Sequence, residues 1–276
     1  MPQIDLTVLV DNKAPETLSA EHGFSLWIDA DGQKILFDTG QGPAFESNVR
    51  SLGVDLRQTD FVVLSHGHYD HTGGLPAVLK HAAWAQVFCH RGIFETRFSI
   101  RDGMPKPIYI PDESRAALEQ LRQDRINWVV DPVALTRRVH LTGPIPRETD
   151  FEDVGGPFYL DPQGTRPDRL DDDLALWIEA DEGVVLCLGC CHAGLVNTMN
   201  HVQRLSGGRA FHAVIGGFHL VNANPQRMEK THAALRAFAP NLVVPCHCTG
   251  ESAVAALRDA LGSRVAPCVA GMPFHF

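Results

Sequence analysis

Three imidazoles and a carboxylate fall within six consecutive residues, His66-Gly67-His68-Tyr69-Asp70-His71, directly after the apolar run Phe61-Val62-Val63-Leu64. No other feature constrains the chain so tightly. A short, continuous apolar run reads as a strand buried on both faces, as in a parallel sheet. Open α/β sheets place their ligand sites outside the carboxyl ends of such strands. Imidazole and carboxylate donors together suit zinc, iron or manganese. Four donors so close along a turning chain do not all face one ion. The natural split gives His66 and His68 to one metal, and Asp70 and His71 to a second. A polar surface loop is the plain alternative, and Gly73-Gly74 directly after the motif tells against it.

Six residues do not saturate two ions, so further ligands must come from elsewhere. The same pattern of apolar strand, histidine-bearing loop and helix recurs at His192, His219 and His247. Loops at the same strand ends share one sheet edge, which makes these three the candidates to complete the donor set. His192 and His247 are expected as metal ligands, and His219 as a ligand or a catalytic group. His81, His201 and His232 fall on expected helices and His275 in the tail, and they are left as structural or exposed.

Short apolar segments alternate with turns and helical stretches in both halves. Phe24–Asp29 and Lys34–Phe37 are joined by Ala30-Asp31-Gly32, a hairpin signal. Leu174–Glu179 and Val184–Leu188 repeat that arrangement around Asp181-Glu182-Gly183. The expected fold is α/β, with sheet inside and helices outside. No linker divides the chain, so residues 1–276 are expected to form one domain. Residues 91–173 are less regular, with several prolines, and 143–173 is rich in Pro, Gly, Asp and Arg. A long irregular stretch of this kind is often an active-site loop or lid.

Composition limits the function classes. There are 24 basic and 33 acidic residues, a net charge of −9, and no long Lys/Arg block. Such a chain repels a nucleic-acid backbone, so the expected partner is a small molecule. No apolar run is long enough for a membrane span, which takes about 18 residues or more. The N-terminus, Met1-Pro2-Gln3-Ile4-Asp5, lacks a basic leader and an apolar core. The seven cysteines are odd in number and clustered, unlike a secreted disulfide framework. A reducing cytoplasm is the expected compartment. Cys246-His247-Cys248 with Cys187, Cys190 and Cys191 leaves two other readings open. One is a structural zinc site, although paired spacings at both ends are lacking. The other is Cys190 or Cys191 touching a catalytic metal.

Ser65-His66-Gly67-His68-Tyr69-Asp70-His71-Thr72-Gly73-Gly74 resembles the signature of the metallo-β-lactamase superfamily, and Ile35-Leu36-Phe37-Asp38-Thr39-Gly40 resembles its first motif. The resemblance spans nearly the whole chain. It implies a four-layer αβ/βα sandwich of two halves with metals at one edge. Gly189–Gly194, Gly216–Leu220 and Pro245–Gly250 carry a narrower resemblance, to the dihydropterin-6-methyl-4-(ribofuranosyl)aminobenzene-phosphate synthase branch. By resemblance, His247 matches the superfamily's last histidine. The usual third histidine is missing near Gly143-Pro144-Ile145, and Cys190 stands near the position of the usual bridging Asp. His192 is then the candidate replacement for a lost ligand. The resemblance also brings His22 and Asn12 near the same edge, as substrate contacts.

The function expected from these residues is a hydrolase with two divalent ions, zinc first and manganese or iron as alternatives. It would act on a phosphate, diphosphate or acyl bond, with Asp70 and His219 catalytic. The resemblance supplies a second expectation, a transferase that joins a dihydropterin diphosphate to an aminobenzene-type amine and releases pyrophosphate. Phe158 and Tyr159 are then the candidates to stack on the pterin ring, with plain core packing as the favoured alternative. A non-catalytic redox partner or sensor is the third class.

Overall fold

The structure is a computed structural model that describes residues 4–276. Two compact units share the chain. One runs up to Val129 and adds Pro157–Asp172 and Val269–Phe276; the other comprises Val130–Gly156 and Asp173–Cys268.

The first unit is built on a seven-stranded sheet. Its order is Pro273–His275, Ile4–Val10, Ser25–Ala30, Gln33–Phe37, Phe61–Val63, Gln86–Cys89 and Ile126–Trp128. The first three neighbouring pairs are antiparallel and the last three parallel. The expected hairpin between Ser25–Ala30 and Gln33–Phe37 turns through Asp31 and Gly32, both at positive φ (54° and 84°). That backbone matches the right-handed twist of the flanking strands, which is why Asp-Gly marks such turns. Helices Pro43–Ser51 and Leu75–His81 pack Phe45, Val49, Leu75 and Val78 against Leu36, Val62 and Val87 of the sheet.

The second unit repeats the plan. Its six-stranded sheet has the order Leu242–Cys246, Phe211–Gly217, Gly183–Leu188, Ala175–Ala180, Val139–Leu141 and Val133–Ala134. Gly183–Leu188 is parallel to Phe211–Gly217, which is parallel to Leu242–Cys246. All six residues of Gly183–Leu188 are buried, so its apolar run is continuous rather than alternating. Helices Leu195–Leu205, Pro225–Phe238 and Glu251–Leu261 bury Leu195, Met199, Val202, Leu235 and Leu257 in this unit's core.

The stretch 91–173 departs most from expectation. Tyr109 makes only an isolated bridge to His68. The hairpin Phe98–Arg101/Met104–Pro107 forms instead, with Phe158–Tyr159 as a third strand. Met104–Pro107 reads Met-Pro-Lys-Pro, and prolines are tolerated there because it is an edge strand. No helix among the described residues is long and apolar enough to cross a membrane.

Candidate functional site

In each unit the chemistry-bearing side chains leave the carboxyl ends of parallel strands. In the first unit, Asp38 follows Gln33–Phe37 and is fully buried. Its Oδ1 accepts the Ser65 N–H at 2.7 Å, and its Oδ2 accepts the Ser65 hydroxyl at 2.6 Å and faces His71 Nδ1 at 2.7 Å. An ionised carboxylate only accepts, so His71 donates from Nδ1 and keeps its lone pair on Nε2. The single Ser65 proton goes to Asp38, so Ser65 Oγ accepts from His66 Nδ1, 2.9 Å away. His66 therefore also presents a lone pair on Nε2. One carboxylate sets the tautomer of two imidazoles, one directly and one through a serine.

His66 Nε2 lies 3.0 Å from His68 Nδ1. Two nitrogens on one tetrahedral ion with bonds of about 2.0–2.1 Å are about 3.3 Å apart, so this spacing fits a shared metal. The His66 and His71 rings have centroids 4.3 Å apart. Asp70 is buried, and its Oδ2 lies 3.2 Å from Nε2 of the half-exposed His22. Asn12 Oδ1 accepts the Gly23 N–H at 3.3 Å, so Asn12 fixes the backbone beside His22.

The loop carrying His66 and His68 is tied down by groups absent from the motif. Gly67 N–H donates to Asp172 Oδ2 at 2.9 Å. Asp172 in turn accepts two hydrogen bonds from Arg97, at 2.9 and 2.7 Å, while Arg97 Nε donates to Asp168 at 2.8 Å. Arg97 is 1% exposed. Burial alone opposes its charge, and the two carboxylates outweigh that and raise its pKa. A Cβ on Gly67 would lie 2.5 Å from the Ile93 carbonyl oxygen, so only glycine fits between the two histidines.

In the second unit, ligand atoms of Cys190, His192 and His219 lie within 4.8 Å of one another, and so do those of Cys190, His247 and Cys248. All five residues are buried. Cys190 belongs to both sets. Cys191 does not join them: its Sγ lies 3.3 Å from Thr198 Oγ1, and its side chain belongs to the hydrophobic core. Cys187 is wholly buried in its strand, where desolvation pushes the thiol pKa up. Burial also raises the Cys248 thiol, but its hydrogen bond to Cys190 and the fields of His219 and His247 outweigh that and hold it well below the usual range. A soft thiolate and imidazoles are a donor set for zinc or iron.

His192 Nδ1 lies 2.8 Å from the Val154 carbonyl oxygen, which only accepts, so its Nε2 carries the lone pair. The irregular stretch before Gly156 thus orients this histidine. It also makes room for another. Gly155 is at φ 87°, and a Cβ there would lie 2.1 Å from His219 Cδ2. The His192 and His219 rings have centroids 4.4 Å apart. His140, near the place of the usual third histidine, sits elsewhere: it stacks on Trp177 at 4.1 Å.

Asp38, Cys191, His219 and His247 all adopt positive φ, between 44° and 60°. Left-handed backbone costs a non-glycine residue on the order of 1–3 kcal/mol and clusters at functional sites. All four stand just after the parallel strands of their sheets. The donor chemistry of both clusters fits divalent metal ions.

The model of the metallo-beta-lactamase superfamily matches residues 19–247. A 7,8-dihydropterin-6-methyl-4-(beta-D-ribofuranosyl)-aminobenzene-5'-phosphate synthase of Methanocaldococcus jannaschii is 29% identical over 246 residues, 85% of this chain and 83% of the relative. An uncharacterised protein of the same organism is 29% identical over 257 residues, 92% of this chain and 94% of its own length. The crystal structure of a metal-dependent hydrolase of the beta-lactamase superfamily superposes with a TM-score of 0.84 at 28% identity, covering 98% of each chain. Motif, α/β architecture and matched length agree, and the chain belongs to the metallo-β-lactamase superfamily.

Proposed function

We propose that the protein is a metal-dependent hydrolase of a phosphate-, diphosphate- or acyl-containing small molecule, using two divalent ions, zinc first. The observation that carries this reading is the tautomer lock. Asp38 and Ser65 hold His66 and His71 with Nε2 as the donor atom, and Val154 does the same for His192. Ligating histidines are oriented in this way by partners on their other ring nitrogen.

His66, His68, Asp70 and His71 would hold metal in the first unit, and His192 and His247, with Cys190 beside them, in the second. Divalent ions in such a site supply Lewis-acid polarisation and an ionised water at neutral pH. Asp70, buried and contacted by His22, would orient the attacking water as well as hold metal. His219, beside His192, donates a proton to the leaving group.

A second reading is supported by the 29% identical synthase and by Phe158, whose ring lies 5.5 Å from that of His68. In it, an aminobenzene amine attacks the methylene carbon of a dihydropterin diphosphate, the carbon–oxygen bond breaks, and pyrophosphate leaves while the amine loses a proton.

The test is metal content by mass spectrometry, on protein purified without added metal or chelator and on a His68→Ala/His71→Ala variant. Ester, lactone, thioester and phosphodiester hydrolysis are assayed in parallel. About two equivalents in the wild type, lost in the variant, with hydrolysis of one class, supports the first reading. Metal without any hydrolysis, but with coupled product from dihydropterin diphosphate and an aminobenzoate, supports the second. Absence of metal sinks both.

A further inference from the structure

The three-stranded sheet of the first unit has no counterpart in the metal-binding motif, yet one of its faces lies on that motif. Phe158 pairs with Ser99, and Ser99 pairs with Lys106. Directly paired residues in neighbouring strands project from the same face of a sheet. Phe158, Ser99 and Lys106 therefore form one row, an aromatic ring, a hydroxyl and an ammonium. At about 4.8 Å per strand, the backbones at the two ends of the row are roughly 10 Å apart.

Both ends of the row reach the segment His68-Tyr69. The Phe158 ring is 5.5 Å from the His68 ring. Lys106 Nζ is 5.2 Å from the centroid of the Tyr69 ring and 3.3 Å from its hydroxyl. Tyr69 N–H donates to the Ile108 carbonyl at 3.1 Å, and His68 bridges to Tyr109, so the chain after the hairpin is fastened to the same segment. Tyr159, the neighbour of Phe158, pairs with Phe98 and projects from the opposite face.

The charge of this hairpin runs against that of the chain. The protein carries a net charge of −9, yet the strands Phe98–Arg101 and Met104–Pro107 contain Arg101 and Lys106 and no carboxylate; Asp102 lies in the turn. Arg101 is two residues from Ser99 in the strand and so shares its face. Lys106 is exposed and Phe158 and Tyr69 are half-buried, so the face is open to a ligand.

We infer that this face is the specificity platform of the enzyme. It receives an elongated substrate with a flat aromatic or heteroaromatic ring at one end, against Phe158, and an anionic group at the other, on Lys106 with Tyr69. Lys106 is a binding residue that reads charge, and Phe158 reads the ring. The inference rests on the proposed metal-dependent reaction at the adjoining histidines, and it narrows the substrate class to ring-and-anion molecules.

The test uses pteroate, a ring system joined through an aminobenzoyl spacer to a carboxylate, and its methyl ester, which lacks the charge. Equilibrium binding to the full chain is measured calorimetrically, with metal loaded and after chelator treatment. Lys106→Ala is expected to weaken pteroate about tenfold, since a charged partner is lost at an exposed position, and to leave the ester unchanged. Lys106→Arg restores most of the loss. Phe158→Leu weakens acid and ester by the same factor. Failure of the wild type to bind pteroate, or equal loss of acid and ester in Lys106→Ala, overturns the platform. Metal content, read separately in Lys106→Ala, remains as in the wild type in that event if the metal reading is right. If the metal reading fails while the acid–ester difference persists on chelated protein, the platform stands without it.

Discussion

Asp38 shows how much one buried side chain determines. It accepts from Ser65 twice and faces His71, and through these bonds two imidazoles acquire a defined tautomer. Asn at this position keeps the shape and tolerates the φ of 60°, but it brings an amide where the carboxylate only accepts. Asp38→Asn is therefore expected to fold and to bind metal about 10–100-fold more weakly. Competition with a chromogenic chelator measures this, and an unchanged affinity would remove the tautomer argument. His140 offers a second test, away from the metal-ligand candidates. Burial lowers its pKa from 6.5, against a weaker opposing pull from Glu179. The folded state thus resists a proton that the unfolded state takes. The stability it permits is complete above the unfolded value and is lost as pH falls below about 6.5 toward the folded one. His140→Phe keeps the ring on Trp177 but does not titrate. Its stability relative to wild type is expected to rise between pH 7 and pH 5 in urea titrations; a constant difference across that window would count against the assignment.

At the scale of elements, the motif loop is held by a distant clamp. Arg97 precedes the hairpin, and Asp168 and Asp172 close the irregular stretch, yet the three meet in the interior and one of them seizes Gly67. Removing the cation leaves two carboxylates buried without it. Burial already pushes the Asp168 carboxyl pKa up, with Arg97 pulling it down. Arg97→Met is expected to cost about 3–5 kcal/mol, seen as a lower urea midpoint, with part of the loss recovered when Asp172→Asn is added. A fall of well under that size would mean that the clamp is dispensable. The segment before Gly156 acts similarly in the second unit. Gly155→Ala would drive a methyl into the His219 ring and strain a backbone at φ 87°. Turnover is expected to fall about 100-fold, the scale of a misplaced catalytic group. Adding His219→Ala to Gly155→Ala should then cost little more, because both changes act on the same ring. Additive losses would show that Gly155 matters for another reason.

Over the whole molecule, the repeated plan was legible because each parallel strand is a short apolar run that ends in a chemistry-bearing loop. Phe61–Val63, Gly183–Leu188, Phe211–Gly217 and Leu242–Cys246 announce themselves in this way. The helices Leu195–Leu205 and Pro225–Phe238 carry His201 and His232, the two histidines expected on helices in this half. The hairpin Phe98–Pro107 was hidden, since prolines at alternate positions conceal an edge strand. The Arg97–Asp172 clamp joins residues 75 apart, which no local pattern reports. Cys190 and Cys191 are indistinguishable as letters; only the backbone turn at Cys191, φ 58°, sends one thiol to the histidines and the other to the core.

The donor clusters also make a prediction about global stability. A metal that binds the folded chain and not the unfolded one adds RT ln(1 + [L]/Kd), about 2.7 kcal/mol at a hundredfold excess over Kd. Stripping metal with a chelator should therefore lower the melting temperature of the wild type, and restoring zinc should return it. The His68→Ala/His71→Ala variant should melt at a temperature less sensitive to the chelator, whatever its own stability, because the quantity compared is a difference within one variant. His140→Phe, outside both clusters, should retain the full wild-type response. If chelation leaves the wild-type transition unmoved while the protein demonstrably contains metal, the ion binds folded and unfolded chains alike, and the preformed donor geometry in each unit is not what holds it.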